Sequence, residues 1–267
     1  MKWFFLLLAI LLLAPGPIAY VPSWNGDITG QDAVQIPFAA PSVVSGLTNT
    51  QEPSHCYSYP ISKIKAYVES NAGEEFPFRL YVTPEDQAIQ ALATQINGAE
   101  DAYKVAVQWI SVSDQKLNHI ANKWMTPHEF LTNTPHYPSN PVKGEEVSDC
   151  EEQAHTLVSL LRAEGIRPEE VRVALGEVNF GDGETGHAWV ELLTDGHWVA
   201  LEPSYGPYWD DKVGKLVPRQ GVPFGYYASH IYPVVQVWAY YNDIYYLDPG
   251  DSSGNAPASW HKPAIAK

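Results

Sequence analysis

The stretch from Ser148 to Gly165 has the hydrophobic spacing of a buried α-helix. Ser148 followed three positions later by Glu151 fits a capping box, and Gly165 is placed to end the helix. The spacing therefore predicts a helix whose first turn carries Cys150 on its buried face. The apolar positions on that face recur every three or four residues, at Cys150, Ala154, Leu157, Val158 and Leu161.

Alternating apolar and polar positions follow, and they predict a β-hairpin. Residues 186–193 and 197–201 form the two strands, joined by an Asp-Gly pair at 195–196 that favours a two-residue turn. With that turn, His187 lies diagonally across from Glu202 on the same face, whereas a three-residue loop would separate them. The opposite face carries a consistent apolar set, namely Ala188, Val190, Leu192, Val199 and Leu201.

The other segments give weaker patterns. Residues 61–68 fit either a strand or a short helix, and residues 78–82 alternate like a strand. Thr83 is then expected to cap a helix with Pro84 at its first position. Apolar residues at helical spacing predict a second helix, with Ala102, Val105, Trp109 and Ile110 on one face. The aromatic tail at 226–247 is expected to form strands with a turn at Asn242-Asp243.

The N-terminus has the pattern of an export signal. Lys2 precedes an apolar run from Trp3 to Ala14, and a small residue, Ala19, offers a cleavage point. As a helix the run would span only about 18 Å, which is less than the roughly 30 Å of a bilayer core. An uncleaved anchor extended through Val21 is the alternative. Either way the sequence predicts an extracytoplasmic protein, with association to the cell envelope as one option.

Composition excludes some classes of function. The chain has 267 residues, of which 45% are hydrophobic and 18% charged, so it can bury a sizeable core. Its net charge of -15 would repel a polyanion, so nucleic acid is not expected as a partner. No histidine pair has metal-ligand spacing, so no metal is predicted, and no other cofactor is expected. His155 is expected at the surface or on the flank of its helix.

The two cysteines allow three interpretations. A thiol at a helix N-terminus is placed for thiolate chemistry, because the helix dipole favours the anion. Cys150 has that position, although a packed core cysteine is an equally ordinary outcome. A disulfide between Cys56 and Cys150 is the third interpretation, and it would abolish any thiol chemistry.

Four segments, in order, resemble the core of the transglutaminase-like superfamily. They are SDCEEQA at 148–154, LLRAEGI at 160–166, GHAWVE at 186–191 and WVALEPS at 198–204. Upstream, WI at 109–110 and WMTPHEFL at 124–131 are similar to the segment that precedes the cysteine of that family. The resemblance covers about residues 101–210, which is less than half of the chain.

The resemblance implies an α+β, papain-like fold in which the cysteine helix packs on an antiparallel sheet. It also implies a catalytic triad of Cys150 as nucleophile, His187 as base and then acid, and Glu202 as the group that orients His187. Trp124, through its indole N–H, is the implied second oxyanion donor beside the Cys150 backbone N–H. The sequence departs from the family in having Glu where Asp is usual, and bulkier residues at 145–148 before the cysteine.

These observations lead to one division of the chain and one function. The predicted parts are a signal peptide or anchor at 1–19, an irregular extension at 20–75, a catalytic domain at 76–210 and aromatic strands at 211–267. The predicted function is an exported cysteine protease or amidase that forms a thioester with a protein or peptide substrate. Two alternatives stay open: a protein-crosslinking transglutaminase and a non-catalytic binding module of the same fold.

Overall fold

The structure, a computed structural model, describes residues 61–71, 76–181 and 183–262, all within the compact unit Thr48–Lys267. Its α-helices are α1 (Ile61–Ser70), α2 (Gln87–Ala93), α3 (Ala99–Ala106), α4 (Asp114–Leu117) and α5 (Cys150–Ala163). Single 3-10 turns lie at Pro77–Tyr81, Thr134–His136, Pro203–Tyr205, Tyr226–Ala228 and Ala258–His261, and a π-helical turn lies at Glu129–Asn133. Across these ranges, none of the helices is both long and apolar enough to span a bilayer.

The strands form two sheets. In chain order they are β1 (Ile110–Ser111), β2 (Val147–Ser148), β3 (Val171–Val178), β4 (Thr185–Thr194), β5 (His197–Leu201), β6 (Tyr208–Asp210), β7 (Lys215–Val217), β8 (Val234–Tyr241), β9 (Tyr246–Asp248) and β10 (Ser253–Gly254). The larger sheet is antiparallel, in the order β10-β9-β8-β3-β4-β5, and the smaller is mixed, in the order β2-β1-β6-β7. The predicted α+β class, with the cysteine-bearing helix packed on an antiparallel sheet, is confirmed.

The larger sheet has a core on each face, because successive side chains of a strand point to opposite sides. Along β4, Ala188 and Val190 join the first core, which includes Cys150 and most of the buried face of α5. Trp189, between them, joins the second core. The second core is small and rich in aromatic rings; its buried members are Ala174, Val178, Trp189, Trp198, Ala200, Tyr240, Leu247 and Trp260.

Helix α5 is present where it is predicted and ends as predicted, but its N-terminus is capped differently. Ser148 lies in β2, and its hydroxyl donates to the backbone oxygen of Asp149, so the predicted capping box is wrong. The helix begins at Cys150 with Asp149 as the N-cap residue. At the other end Gly165 has a φ of 90°, and its N–H donates to Arg162 in a Schellman termination, as predicted. Every residue from Cys150 to Leu161 is buried, so the helix has no solvent face over that length.

The predicted hairpin is confirmed in register. Thr194 pairs with His197 and Val190 with Leu201, which is the pairing of a two-residue turn. Asp195 and Gly196 both have positive φ values, 52° and 79°, as a type I′ turn requires.

Other local predictions were less accurate. Residues 78–82 are not a strand, because most of the segment is the 3-10 turn that begins at Pro77. The helix expected from Thr83 begins at Gln87, where the carboxylate of Asp86 accepts the backbone N–H of Ala88. The stripe at 102–110 mixes two elements, since α3 ends before Trp109 and Ile110 lies in β1.

The predicted division of the chain stays a prediction. Residues 1–60, with the expected signal segment and Cys56, lie outside the described residues. The segment 61–70, predicted as part of an irregular extension, is helical. In the tail, β8 and β9 flank a turn at 242–245, so the expected strands are present but shorter than predicted. The expected boundary at residue 210 falls between β6 and β7, which are paired with each other.

Candidate active site

His187 and Glu202 meet at the end of the β4–β5 hairpin. His187 is near the start of β4, and Glu202 directly follows β5. Nε2 of His187 lies 2.6 Å from Oε2 of Glu202, and both side chains are buried. The contact predicted from the hairpin is therefore present.

The Glu202 carboxylate is held at both oxygens. Oε1 accepts the backbone N–H of Ser204 at 3.0 Å and its hydroxyl at 2.6 Å. Oε2 accepts the hydroxyl of Tyr232 at 2.5 Å besides its contact with His187. Burial by itself would raise the pKa of Glu202, but His187 and the hydrogen bonds hold that pKa below its ordinary value. The carboxylate is therefore ionised at neutral pH, so it acts as acceptor and His187 Nε2 as donor.

Cys150 is the first residue of α5, so it lies in the first turn of the helix, as the sequence predicts. Its side chain is buried, and Sγ lies 3.4 Å from Oε2 of Glu151. Its pairing with His187 stays a prediction, as does the alternative disulfide to Cys56, which is outside the described residues.

A short polar chain joins the first turns of α5 to the Glu202 loop. Gln153 donates from Nε2 to the hydroxyl of Ser111 at 3.4 Å, and that hydroxyl donates to the backbone oxygen of Ser204 at 3.1 Å. Strand β1, which contains Ser111, thus bridges the cysteine helix and the loop that carries the acid. The arrangement gives the thiol helix and the acid loop a fixed relative position.

A sequence model of the Transglutaminase-like superfamily matches residues 90–203. Over residues 90–203 the chain is therefore similar to the core of that superfamily. The match includes Cys150, His187 and Glu202. It begins at residue 90, about ten residues before the segment in which the sequence resembles the family. No curated protein sequence matches the chain.

Solved structures give weaker similarities. Calcium-bound LapG from Legionella pneumophila is 13% identical, with a TM-score of 0.38, over 76% of this chain and 96% of that one. EGTA-treated LapG is also 13% identical, with a TM-score of 0.39, over 77% and 96%. A candidate cysteine protease from Cytophaga hutchinsonii is 16% identical, with a TM-score of 0.34, over 56% of this chain and 46% of that one. At these values the likenesses carry no argument about activity.

The matched segment also brings buried acids together beside the cysteine. Carboxylate oxygens of Asp114, Asp149 and Glu151 all lie within 4.8 Å of one another. Burial raises the pKa of Asp114 to about 6, and burial together with the charge of Glu151 raises the pKa of Asp149 well above its ordinary value. Oδ1 of Asp149 is buried and has no hydrogen-bond partner among the described residues. Such a set of oxygen donors suits a hard divalent cation.

No sequence pattern predicted this carboxylate cluster. The prediction of no metal rested on spacing along single segments, whereas Asp114 comes from α4 and the other two acids flank Cys150. Helices and strands far apart in the chain bring them together. The same holds for Tyr232, which no pattern connected with Glu202.

Trp124 lies half-buried in a group of aromatic rings. Its indole stacks on Phe78 with ring centroids 3.9 Å apart, and it lies 5.2 Å from the ring of His155. Together with Tyr67 and Tyr81 it lines a cavity of about 400 Å³. Its role as an oxyanion donor stays a prediction.

His155 was expected on the helix flank, and that prediction is wrong. Its side chain is buried, its Nε2 lies 2.7 Å from the hydroxyl of Tyr241, and its ring stacks on Tyr81. Burial lowers the pKa of His155 to about 3, so it is neutral at physiological pH. The prediction failed because α5 is packed against other parts of the protein on every side here, so residues on its flank are buried too.

Proposed function

We propose that the protein is a thiol hydrolase that cleaves an amide bond in a protein or peptide substrate. The observation that carries the proposal is the buried His187–Glu202 contact of 2.6 Å in a core whose cysteine begins a buried helix. An ionised acid that holds a histidine ring fixes its tautomer and stabilises the imidazolium. Cys150 would then be the nucleophile of a Cys-His-Glu triad.

The chemistry proceeds in two steps. Because Nε2 of His187 binds Glu202, Nδ1 takes the thiol proton as Sγ of Cys150 attacks the substrate carbonyl. The carbon–nitrogen bond then breaks, and His187 returns the proton to the departing amine, which leaves a thioester. Water attacks the thioester, His187 takes its proton and returns it to Sγ, and the carboxylic acid departs. The backbone N–H of Cys150 and the indole of Trp124 are the proposed oxyanion donors.

The site of action is part of the proposal. The apolar N-terminal run with its small-residue cleavage point supports an extracytoplasmic protein, secreted or held at the envelope. The acceptor in the second step is proposed to be water. An amine acceptor would make the same thioester yield a crosslink, so the two activities differ only in the nucleophile that attacks the thioester.

Alkylation of Cys150 tests the nucleophile. Non-reduced mature protein would be treated with iodoacetamide near neutral pH, alongside His187→Ala and Glu202→Gln, with Cys150→Ser as the control that measures alkylation of Cys56 alone. The expected result is a Cys150 rate at least about tenfold lower in both variants. Alkylation that appears only after reductant would establish the disulfide, and a rate independent of His187 would leave a non-catalytic module.

The products distinguish hydrolysis from crosslinking. Fluorescently labelled casein would be incubated with the wild-type protein and with Cys150→Ser, with and without a dansylated amine. Release of small fragments by the wild type alone supports the proposal. Incorporation of the amine without fragments would assign the crosslinking activity instead.

We also propose that Asp114, Asp149 and Glu151 bind a divalent cation. Three buried carboxylates within 4.8 Å repel one another unless they are protonated or neutralised, and Oδ1 of Asp149 has no hydrogen bond from the described residues. When bound, the cation would supply positive charge beside the cysteine turn. The three side chains provide oxygen ligands for it.

Thermal unfolding measures this binding without reference to activity. Calcium chloride, and separately magnesium chloride, would be added to protein treated with EGTA. The melting temperature is expected to rise in the wild type and in Asp101→Asn, which changes an exposed acid, but not in Asp114→Asn. An equal rise in all three proteins would refute the site.

A further inference from the structure

The hydroxyl of Tyr232 shares an acceptor atom with His187. Oε2 of Glu202 lies 2.5 Å from the Tyr232 oxygen and 2.6 Å from Nε2 of His187. Tyr232 lies in the segment just before β8, outside the region matched by the superfamily model. The described structure thus places a second donor directly on the oxygen that orients the histidine.

The ring of Tyr232 is fixed by its packing. It meets Phe180 edge-on with centroids 5.7 Å apart, and it lies 5.2 Å from the ring of Trp189. Tyr227 contacts it edge-on at 4.8 Å, and Phe180 also packs edge-on against His187 at 5.8 Å. Because the ring is packed on several sides, the hydroxyl oxygen is held beside Oε2 of Glu202.

A glutamate at this position needs such a donor. It has one more rotatable bond than the aspartate that is usual in the family, so its carboxylate has more orientations to lose. Ser204 fixes Oε1 through two hydrogen bonds, and Tyr232 fixes Oε2. The hydroxyl of Tyr103 donates to the backbone oxygen of Glu202 at 3.3 Å and not to its carboxylate.

We propose that Tyr232 is a positioning residue, which holds the longer Glu202 side chain with Oε2 directed at His187. The proposal rests on the proposed function, in which Glu202 orients the catalytic imidazole. In this role Tyr232 acts through the Glu202 carboxylate. Without its hydroxyl, the carboxylate would turn among several orientations and would hold His187 for a smaller fraction of the time.

The test compares Tyr232→Phe with Tyr245→Phe. Phenylalanine keeps the ring packing and removes only the hydroxyl. Tyr245 is a matched control, because its hydroxyl also donates to a carboxylate, that of Glu169, at 2.9 Å. Neither Tyr245 nor Glu169 belongs to the proposed machinery.

Proton NMR of the histidine ring N–H groups is the direct readout. The His187 signal is identified by its loss in His187→Ala. In Tyr232→Phe it is expected to move upfield and to exchange faster with water, while Tyr245→Phe leaves it unchanged. A His187 signal that is the same in wild type and Tyr232→Phe would overturn the proposal. Since this readout needs no substrate and no thiol reactivity, it stands even if the proposed function fails.

A double-mutant cycle then separates positioning from a general loss of structure. The Cys150 alkylation rate is expected to fall by about tenfold in Tyr232→Phe, which is the order of losing one hydrogen bond to a charged group. In a Glu202→Gln background the same change should have no further effect. Effects that multiply instead would show that Tyr232 acts elsewhere, and the proposal would be wrong.

A second substitution covers a failure of Tyr232→Phe to fold. Incorporation of 3-fluorotyrosine at position 232 retains both ring and hydroxyl and alters only the donor strength. A shifted His187 N–H signal supports the proposal, and an unshifted one overturns it.

Discussion

The buried imidazole of His155 makes the stability of the protein depend on pH. Its pKa is lowered from 6.5 to about 3 by burial, so the folded protein resists its protonation. The unfolded chain takes up that proton below about pH 6.5, and the folded chain does so only near pH 3. The stabilisation is therefore complete above pH 6.5 and is lost as the pH falls through this window.

His155→Gln should remove this dependence. From about pH 7.5 to about pH 5, the free energy of unfolding of the wild type is expected to fall by roughly 2 kcal/mol more than that of the variant. Urea denaturation at the two pH values measures the difference. His136→Gln changes an exposed histidine and should follow the wild type. Parallel curves for wild type and His155→Gln would contradict the buried-imidazole explanation.

Single residues of the site were predictable to different degrees. His187 and Glu202 could be paired from the sequence, because a two-residue turn fixes which residues face each other. Tyr232 could not, since it enters from a loop with no regular period. Asp114 likewise reaches the carboxylate cluster from another helix. Contacts set by tertiary packing leave no local periodicity to detect.

At the scale of elements, Gly176 allows the central strand to pack beside β8. It lies on β3 opposite His187, next to an irregular register with β8. A Cβ added there would lie only 2.2 Å from the backbone oxygen of Gln236. Two strands would have to separate to make room, because the obstacle is backbone.

Gly176→Ala is therefore expected to destabilise the protein by about 2 kcal/mol, within the usual cost of overpacking. Urea unfolding measures the loss. Gly250→Ala is the control, because a Cβ there meets only the side-chain end of Asp248, at 3.1 Å, at an exposed position. Because the neighbouring strands shift, the His187 ring signal should also move in Gly176→Ala. Equal stabilities of the two variants would contradict this expectation, since β8 would then move away from β3 at little cost in free energy.

Elements with long, consistent periods were predictable, and short ones were not. Helix α5 and the β4–β5 hairpin have the expected periodicity over many residues. In residues 78–82, Phe78 and Val82 are buried and Leu80 is 76% exposed. This burial alternates as it would along a strand, although most of the segment is a 3-10 turn. Five residues cannot separate the two structures, and Pro77 at the first position favours the turn.

At the scale of the whole molecule, a buried arginine joins the C-terminal segment to the second face of the sheet. Arg172 lies on β3 and is fully buried, with its guanidinium 3.9 Å from the ring of Trp198 and 3.6 Å from that of Tyr240. It binds Glu191 at 2.6 Å and donates to the backbone oxygen of Trp260 at 2.7 Å. Sequence patterns assign charged residues to the surface, so this interior pair could not be predicted.

Breaking this pair should cost more than removing both partners. Arg172→Leu leaves the Glu191 carboxylate buried without its cation, and the free energy of unfolding should fall by about 3–5 kcal/mol. Arg172→Leu with Glu191→Leu removes the buried charge and should recover part of that loss. Arg167→Leu is the control, since Arg167 and Glu170 form an exposed pair worth about 1 kcal/mol or less. Urea unfolding of the wild type, the two Arg172 variants and the control measures these losses. A double variant less stable than Arg172→Leu would contradict this explanation. The stability lost in Arg172→Leu would then come from the space that the guanidinium fills between the rings of the second core, and not from the unpaired charge of Glu191.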